Sequence, residues 1–353
     1  MKVVQLSYTV RFLCPAFLGN AEQSGQWRTP PFKALLRQWW RVAYAADNRF
    51  AVKFQDVRIA EGQLFGAAAD ARNSNKSRVR IRLDSWNSGT LRSWQPTGSV
   101  RHPEVGPDGP NIGSDLYLGY GPLKFKKGST ALKANAAIQE GESVILSLAL
   151  TPQAGDEEAA RIRNTLALMN LYGTLGGRSR NGWGSFALER LDDTPALSAS
   201  VDSSLRRPWR QALGFDWPHA IGQDEKGGLI WQTAEGFPDW KGAMRRLAEI
   251  KIWLRTQFKF RDEKPPHPAP NERHWLSYPV TNHPVRDWED KRLPNSLRFK
   301  LRPDSRDPAR LRGVIFHVPC LPPREFNPNS AATQRVWERV HLFLDQRLTR
   351  IAA

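Results

Sequence analysis

At 353 residues the chain is long for one core and comfortable for two, so two domains are expected. Forty per cent hydrophobic and 25% charged residues exclude an intrinsically disordered chain, and a net charge of +17 favours polyanionic partners. Two cysteines, Cys14 and Cys320, exclude a disulfide framework and an all-cysteine zinc site and point to a reducing compartment.

Val4, Leu6, Tyr8, Val10 and Phe12 alternate with polar residues, the period of a half-buried first strand. Gln5, Ser7, Thr9 and Arg11 also break any signal-peptide core, and no apolar run is long enough to span a bilayer. The expectation is a cytoplasmic protein with no membrane contact. Thr29-Pro30-Pro31 starts a helix that runs from about residue 32 to 46. Phe32, Leu35, Leu36, Trp39 and Ala43 share one face, while Lys33, Arg37 and Arg41 recur on another, flanked by Trp40 and Tyr44. A second strand is expected at 79–83, with Arg78, Arg80 and Arg82 opposite Val79, Ile81 and Leu83. Residues 85–122 are rich in glycine and proline with little periodicity and read as a long insertion, closed by Tyr117-Leu118-Gly119-Tyr120-Gly121-Pro122 and by Lys124, Lys126 and Lys127. A strand at 142–150, a helix at 156–172 and a strand at 183–188 complete the first half. Asp156, Glu157 and Glu158 suit the helix start, where the macrodipole favours acids.

This order is strand, helix, strand, strand, helix, strand, the split βαβ pattern. The expected fold is therefore α+β, ferredoxin-like (RRM-like) in the first half, with the theme repeated weakly in the second. The first occupies 1–190, an irregular linker 191–228, and a degenerate second half 229–353. The second contains a helix at 239–258, a proline-rich break at 265–270, strands near 274–279, 297–301 and 313–318, and a last helix at 331–349. Residues 1–190 carry 25 basic and 15 acidic side chains, +10, and residues 191–353 carry 27 and 20, +7. The charge is thus no basic tail.

The stretch Leu175-Gly176-Gly177-Arg178-Ser179-Arg180-Asn181-Gly182-Trp183-Gly184-Ser185-Phe186 combines four glycines with two arginines and a tryptophan. Between a helix and a strand it is expected to offer backbone N–H groups and guanidinium groups to phosphate. The same composition also fits a long turn whose glycines only solve geometry. Fourteen tryptophans beside many arginines suit single-stranded nucleic acid, although most are expected in the core.

Thr29-Pro30-Pro31-Phe32-Lys33-Ala34-Leu35-Leu36-Arg37-Gln38-Trp39-Trp40-Arg41, preceded by Pro15-Ala16-Phe17-Leu18-Gly19, resembles the RAMP (repeat-associated mysterious protein) superfamily of CRISPR interference complexes. With Tyr117 to Gly121 and the loop at 176–185, the resemblance is to the RAMP subunits of the type III-B Cmr complex. It covers 1–190, and Ala34 departs from the glycine often found in such motifs. The resemblance implies two ferredoxin-like halves and a ribonucleoprotein role in antiviral defence, capping the complex near the 3′ end of the guide RNA, with guide RNA (crRNA), target RNA and other RAMP subunits as partners. Carried over by position, Lys33, Arg37, Trp40 and Arg41 of the helix and Gly176, Gly177, Arg178, Arg180, Gly182, Trp183 and Gly184 of the loop become candidate RNA contacts. No cofactor and no metal are expected.

Some RAMP relatives are guide-processing ribonucleases, and metal-free RNA cleavage is most naturally served by histidine. Of seven histidines only His102 precedes residue 190, which makes it the candidate base of an alternative, catalytic reading. No phosphate loop of the Gly-x-x-x-x-Gly-Lys type and no nucleophile motif is present. A third reading is an assembly adaptor whose basic surface meets acidic proteins.

Overall fold

The computed structural model describes residues 3–67, 75–105, 111–133, 137–191, 193–198 and 203–351. In chain order its helices and strands are β1 (Val4–Phe12), α1 (Thr29–Asp47), α2 (Phe54–Phe65), β2 (Val79–Leu83), β3 (Ser99–Arg101), β4 (Asn111–Gly113), α3 (Ser114–Gly119), β5 (Leu123–Lys126), β6 (Ser129–Leu132), β7 (Ser143–Leu150), α4 (Gly155–Tyr172) and β8 (Phe186–Arg190). They continue with β9 (Arg206–Pro208), α5 (Trp209–Ala212), β10 (Ile221–Asp224), β11 (Gly227–Gly228), β12 (Ile230–Gln232), α6 (Trp240–Thr256), β13 (Leu297–Pro303), β14 (Leu311–His317), α7 (Ser330–Asp345) and β15 (Thr349–Arg350). The class is α+β with mostly antiparallel sheets. The chain divides into two compact units, one of Met1–Pro96, Leu118–Leu205 and Lys300–Arg302, the other of Thr97–Tyr117, Arg206–Phe299 and Pro303–Ala353.

In the first unit the sheet order is β2-β7-β1-β8, all pairs antiparallel. Strand alternation turns Leu6, Tyr8, Val10 and Phe12 of β1 and Val144, Leu146, Leu148 and Leu150 of β7 into the core. Helix α1 begins with its two prolines in the first turn, where a missing N–H costs nothing, and buries Phe32, Leu35, Leu36 and Trp39 as their spacing required. Phe32 meets Phe186 of β8 at 6.4 Å between ring centroids, which seats α1 on the core face of the sheet. Helix α2 was not expected. Its buried residues Val57, Leu64 and Phe65 are too sparse for a clear 3.6-residue period.

In the second unit β12, α6, β13, β14, α7 and β15 follow one another, and the sheet order is β13-β14-β12-β15. Counted along the chain within each sheet, both four-stranded sheets read second, third, first, fourth. Helices α6 and α7 are capped by Asp239 and Asn329, whose side chains accept the N–H groups of Gly242 and Ala332.

Two expectations change. No strand forms at 274–279. Asn271 and His274 close a reciprocal capping box that starts a 3-10 turn over Glu272–Trp275, because side-chain caps there outcompete ladder bonds. Within the expected linker, residues 206–228 are ordered as α5 and a three-stranded sheet, β11-β10-β9. Residues 192 and 199–202 of that linker, and 106–110 of the expected insertion, lie outside the described residues. Residues 97–117 of the insertion group with the second unit.

Candidate nucleic-acid interface

The glycine-rich loop is built by close backbone approach. Gly176 has φ +94°, and a Cβ there would lie 2.7 Å from the Phe17 carbonyl oxygen. Gly184 has φ +66°, and its Cβ would fall 1.9 Å from the Leu175 oxygen. Gly177 N–H donates to Phe17 O at 2.9 Å and Gly184 N–H to Pro15 O at 3.0 Å, while the N–H groups of Asn181 and Gly182 donate to Arg178 O and Ser179 O. Those donors therefore close the loop on itself and on residues 15–17. This corrects the reading of Gly177, Gly182 and Gly184 as N–H donors to phosphate; Gly182 and Gly184 are themselves buried.

Beneath the loop, Lys300 is fully buried and its ammonium donates to Met169 O at 3.3 Å, Gly173 O at 2.7 Å and Phe186 O at 2.9 Å. It thereby supplies donors to carbonyls at the end of α4 and the start of β8. Burial and the neighbouring Arg302 charge push its pKa well down. Burial also pushes the nearby Cys14 thiol up to about 12, which leaves it no nucleophile.

Arg178 takes a left-handed conformation, φ +57°, unusual outside glycine. That turn leaves its side chain exposed, with Nε donating to Tyr120 O. Asn181 Nδ2 donates to Leu118 O at 2.7 Å. The loop is thus tied to Leu118–Pro122 as well as to Pro15–Gly19, so three stretches far apart in sequence meet. Between them opens a cleft of about 340 Å³ whose walls include Phe17, Gly19, Gln23, Pro122, Lys133 and Gly177. Arg180 is half-buried.

Trp183 and Trp40 are corrections. Trp183 is fully buried, packed on Phe17 at 5.3 Å and Trp94 at 5.5 Å. Trp40 is fully buried, stacked on Tyr44, edge-on to Phe65, with its indole N–H on Glu158. A ring with no exposed face has no surface on which a base stacks, so both are core.

The cationic stripe of α1 is real but largely spent within the unit. Arg37 and Arg41 both bind the carboxylate of Glu61 on α2, which is buried. Burial alone would raise the Glu61 carboxyl; the hydrogen bonds and charges of Arg41 and Arg37 outweigh it and hold its pKa below the usual value. Its stabilising effect is then full above the unfolded-state value of about pH 4.3 and is lost as pH falls through the lower folded value. We expect the stability difference between wild type and Glu61→Gln, followed by urea unfolding, to be largest at neutral pH and to shrink between pH 5 and 3. A pH-independent difference would assign Glu61 a packing role only. Lys33 is half-buried on the same helix. The acids at the start of α4 also have a local use, because Glu157 and Glu158 join Asp47 around the buried Arg161.

Exposed aromatics that sequence reading did not single out as contacts lie on the surface. Tyr120 and Phe125 are each 66% exposed, Phe125 on the β5–β6 hairpin between Lys124 and Lys126. The Lys-Phe-Lys spacing was the available signal. Arg80 and Arg82 stand exposed on the sheet face opposite Val79 and Leu83.

His102 is buried in the second unit, edge-on to Tyr117 at 5.8 Å, its Nδ1 accepting the Glu104 N–H. Burial keeps its pKa below the ordinary histidine value. With 7% of its surface exposed, the ring offers little face to a ribose hydroxyl. Other histidines of the second unit lie against one another. His267 and His283 share a 3.0 Å hydrogen bond beside Phe260, and His274 Nε2 meets His283 O at 2.9 Å. Among the described residues no group of His, Cys, Asp or Glu is arranged to hold a metal ion, and no helix is long and apolar enough to cross a membrane.

Comparison with known proteins gives a family match and distant structural likenesses. The family model described as the RAMP superfamily matches residues 9–187. No curated protein matches. The crystal structure of apo Cmr1 from Pyrococcus furiosus superposes with TM-score 0.46 at 13% identity, covering 99% of this chain and 97% of that one. A chain of the type III-B Cmr-beta complex bound to cognate target RNA and AMPPnP gives 0.48 at 10%, covering 96% and 100%. A chain of a type IV-B CRISPR complex gives 0.32 at 14%, covering 56% and 95%.

Proposed function

From the premise that the chain belongs to the RAMP superfamily, we propose that it is a non-catalytic RNA-binding subunit of a type III CRISPR effector complex in the cytoplasm. It corresponds in this reading to the first RAMP subunit of a type III-B Cmr complex, capping the assembly near the 3′ end of the guide RNA. Guide and target RNA and neighbouring RAMP subunits are its partners. Each unit is read as a ferredoxin-like half, on the shared second-third-first-fourth strand order.

The observation that carries this reading is the meeting of Pro15–Gly19, Leu118–Pro122 and the loop at 176–185 around one cleft, with Arg178, Lys133 and Lys124 about it. Lys33, Arg178 and Arg180 are the phosphate contacts retained from the sequence reading, and Gly176 and Gly177 shape the backbone beside them. Sequence is left to base pairing with the guide, while phosphate pairing supplies affinity.

The test is a fluorescence titration with short single-stranded RNA at several salt concentrations, followed by electrophoresis of the same RNA. Tight, salt-steep binding to intact RNA is expected. Arg178→Ala should flatten the plot of log affinity against log salt by about 0.7 and weaken binding to all sequences alike. An unchanged slope removes Arg178 from the interface. Cleaved RNA overturns the non-catalytic reading, and partner binding that survives ribonuclease and charge reversal at Arg178 favours the adaptor.

A further inference from the structure

The cleft beside the glycine-rich loop has a shape and chemistry that say more than that RNA lies nearby. Its volume, about 340 Å³, sits at the small end of the range of about 300–1,000 Å³ typical of small-molecule sites. That is room for a single base with its sugar, and too little for a duplex end. Two walls are flat and apolar: the half-exposed ring of Phe17 and the pyrrolidine of Pro122. Gly177 keeps them close, since a Cβ at 177 would come within 2.9 Å of Pro122 Cγ and 3.5 Å of Phe17 Cβ.

One wall is polar. Gln23 is exposed and held at φ +61° in a tight turn, where its N–H donates to Asn20 O at 3.1 Å and the Asn20 side chain takes the Ser24 N–H at 2.8 Å. Non-glycine residues in that conformation are strained, and strain of this kind gathers at binding sites. A primary amide both donates and accepts, as the Watson–Crick edge of any base requires. Outside the cleft stand the cations. Lys133 is an exposed lining residue, and the Arg178 guanidinium lies 3.6 Å from the position a Cβ would take on Gly121.

We propose that this cleft receives one unstacked ribonucleotide of a single-stranded RNA, its base against the apolar wall made by Phe17 and Pro122 with its edge on Gln23, and its flanking phosphates on Lys133 and Arg178. The proposal rests on the RNA-binding reading and adds to it a base-dependent term. Phosphate pairing alone is indifferent to whether bases are present. A filled base pocket is not, and single stacking contacts are worth roughly a 5- to 150-fold change in affinity.

The experiment compares two probes on the full chain, a fluorescent ribotetranucleotide and the same ribose-phosphate chain without bases. Gly19 offers a way to block the cleft without distorting the loop, since a Cβ there meets nothing nearer than 3.7 Å and no left-handed φ is required. Wild type is expected to prefer the probe with bases by about tenfold or more, Gly19→Phe to narrow that preference by about tenfold, and Gln23→Gly, which relieves the strained φ while deleting the amide, to narrow it in part. Both variants should keep the wild-type salt slope and thermal midpoint. Equal binding of the two probes by wild type, or a preference unmoved in Gly19→Phe, overturns the base pocket while leaving the RNA-binding reading intact. Failure of the folded chain to bind either probe overturns both. Competition by adenosine or uridine 5′-monophosphate as strong as that of the tetranucleotide would overturn it in favour of a free-nucleotide site.

Discussion

Gly184→Ala is expected to cost about 3 kcal/mol or more of stability and to abolish the structure of the loop at 175–186. Two terms add at this position. An L-residue in the left-handed region costs roughly 1–2 kcal/mol, and forcing a carbon into a packed site costs about 1–3 kcal/mol when the surroundings can move. Here the opposing atom is the backbone oxygen of Leu175, 1.9 Å from the added carbon, and it cannot rotate away as a side chain would. It is further held by the hydrogen bond from Leu175 N–H to Gly184 O at 3.0 Å, so relief requires opening the loop. Urea or thermal unfolding checks the magnitude, and limited proteolysis the location. Gly141→Ala serves as the comparison, for Gly141 also has a left-handed φ, +82°, but nothing within 4 Å of its Cβ position. If the two variants lose the same amount, the close approach at 184 contributes nothing.

Lys300→Met should destabilise the chain by about 3 kcal/mol with little change in side-chain length. The substitution leaves Gly173 O and Phe186 O without their common donor, while Met169 O keeps the Gly173 N–H at 2.8 Å, and each buried polar group stranded in this way costs roughly 1–3 kcal/mol. Against this, the desolvation of a buried ammonium is removed, which offsets part of the loss. Thermal unfolding measures the balance. Because the three carbonyls lie at the end of α4, just after it, and at the first residue of β8, the loop between them should lose protection from hydrogen exchange before the rest of the first unit does. Wild-type stability in Lys300→Met would mean that water satisfies the carbonyls as well as lysine does.

The elements that sequence reading located are those with strong local period. Alternation in 4–12 and helical spacing in 29–47 and 330–345 record which side of each element meets apolar neighbours, and any neighbour will do. Elements whose period is short or sparse, α2, β12 and β15, were invisible for the same reason. They exist because partners hold them, as Trp231 of β12 is held by pairing with both β14 and β15.

For the candidate site, sequence alone singled out the segments at 15–19, 29–41, 117–121 and 176–185 and the excess of positive charge. Only the tertiary structure decided which residues there are exposed and which are buried or paired. Trp40 and Trp183 look like stacking platforms beside arginines until burial removes their faces, and Arg37 and Arg41 look free until Glu61, 20 or more residues away, takes their charge. Phe17, Pro122 and Gly177 share a cleft only because the chain returns twice to the same place. Composition and spacing fix the chemical types a segment carries, but exposure and pairing are properties of neighbours distant in sequence, and those are settled when the chain packs.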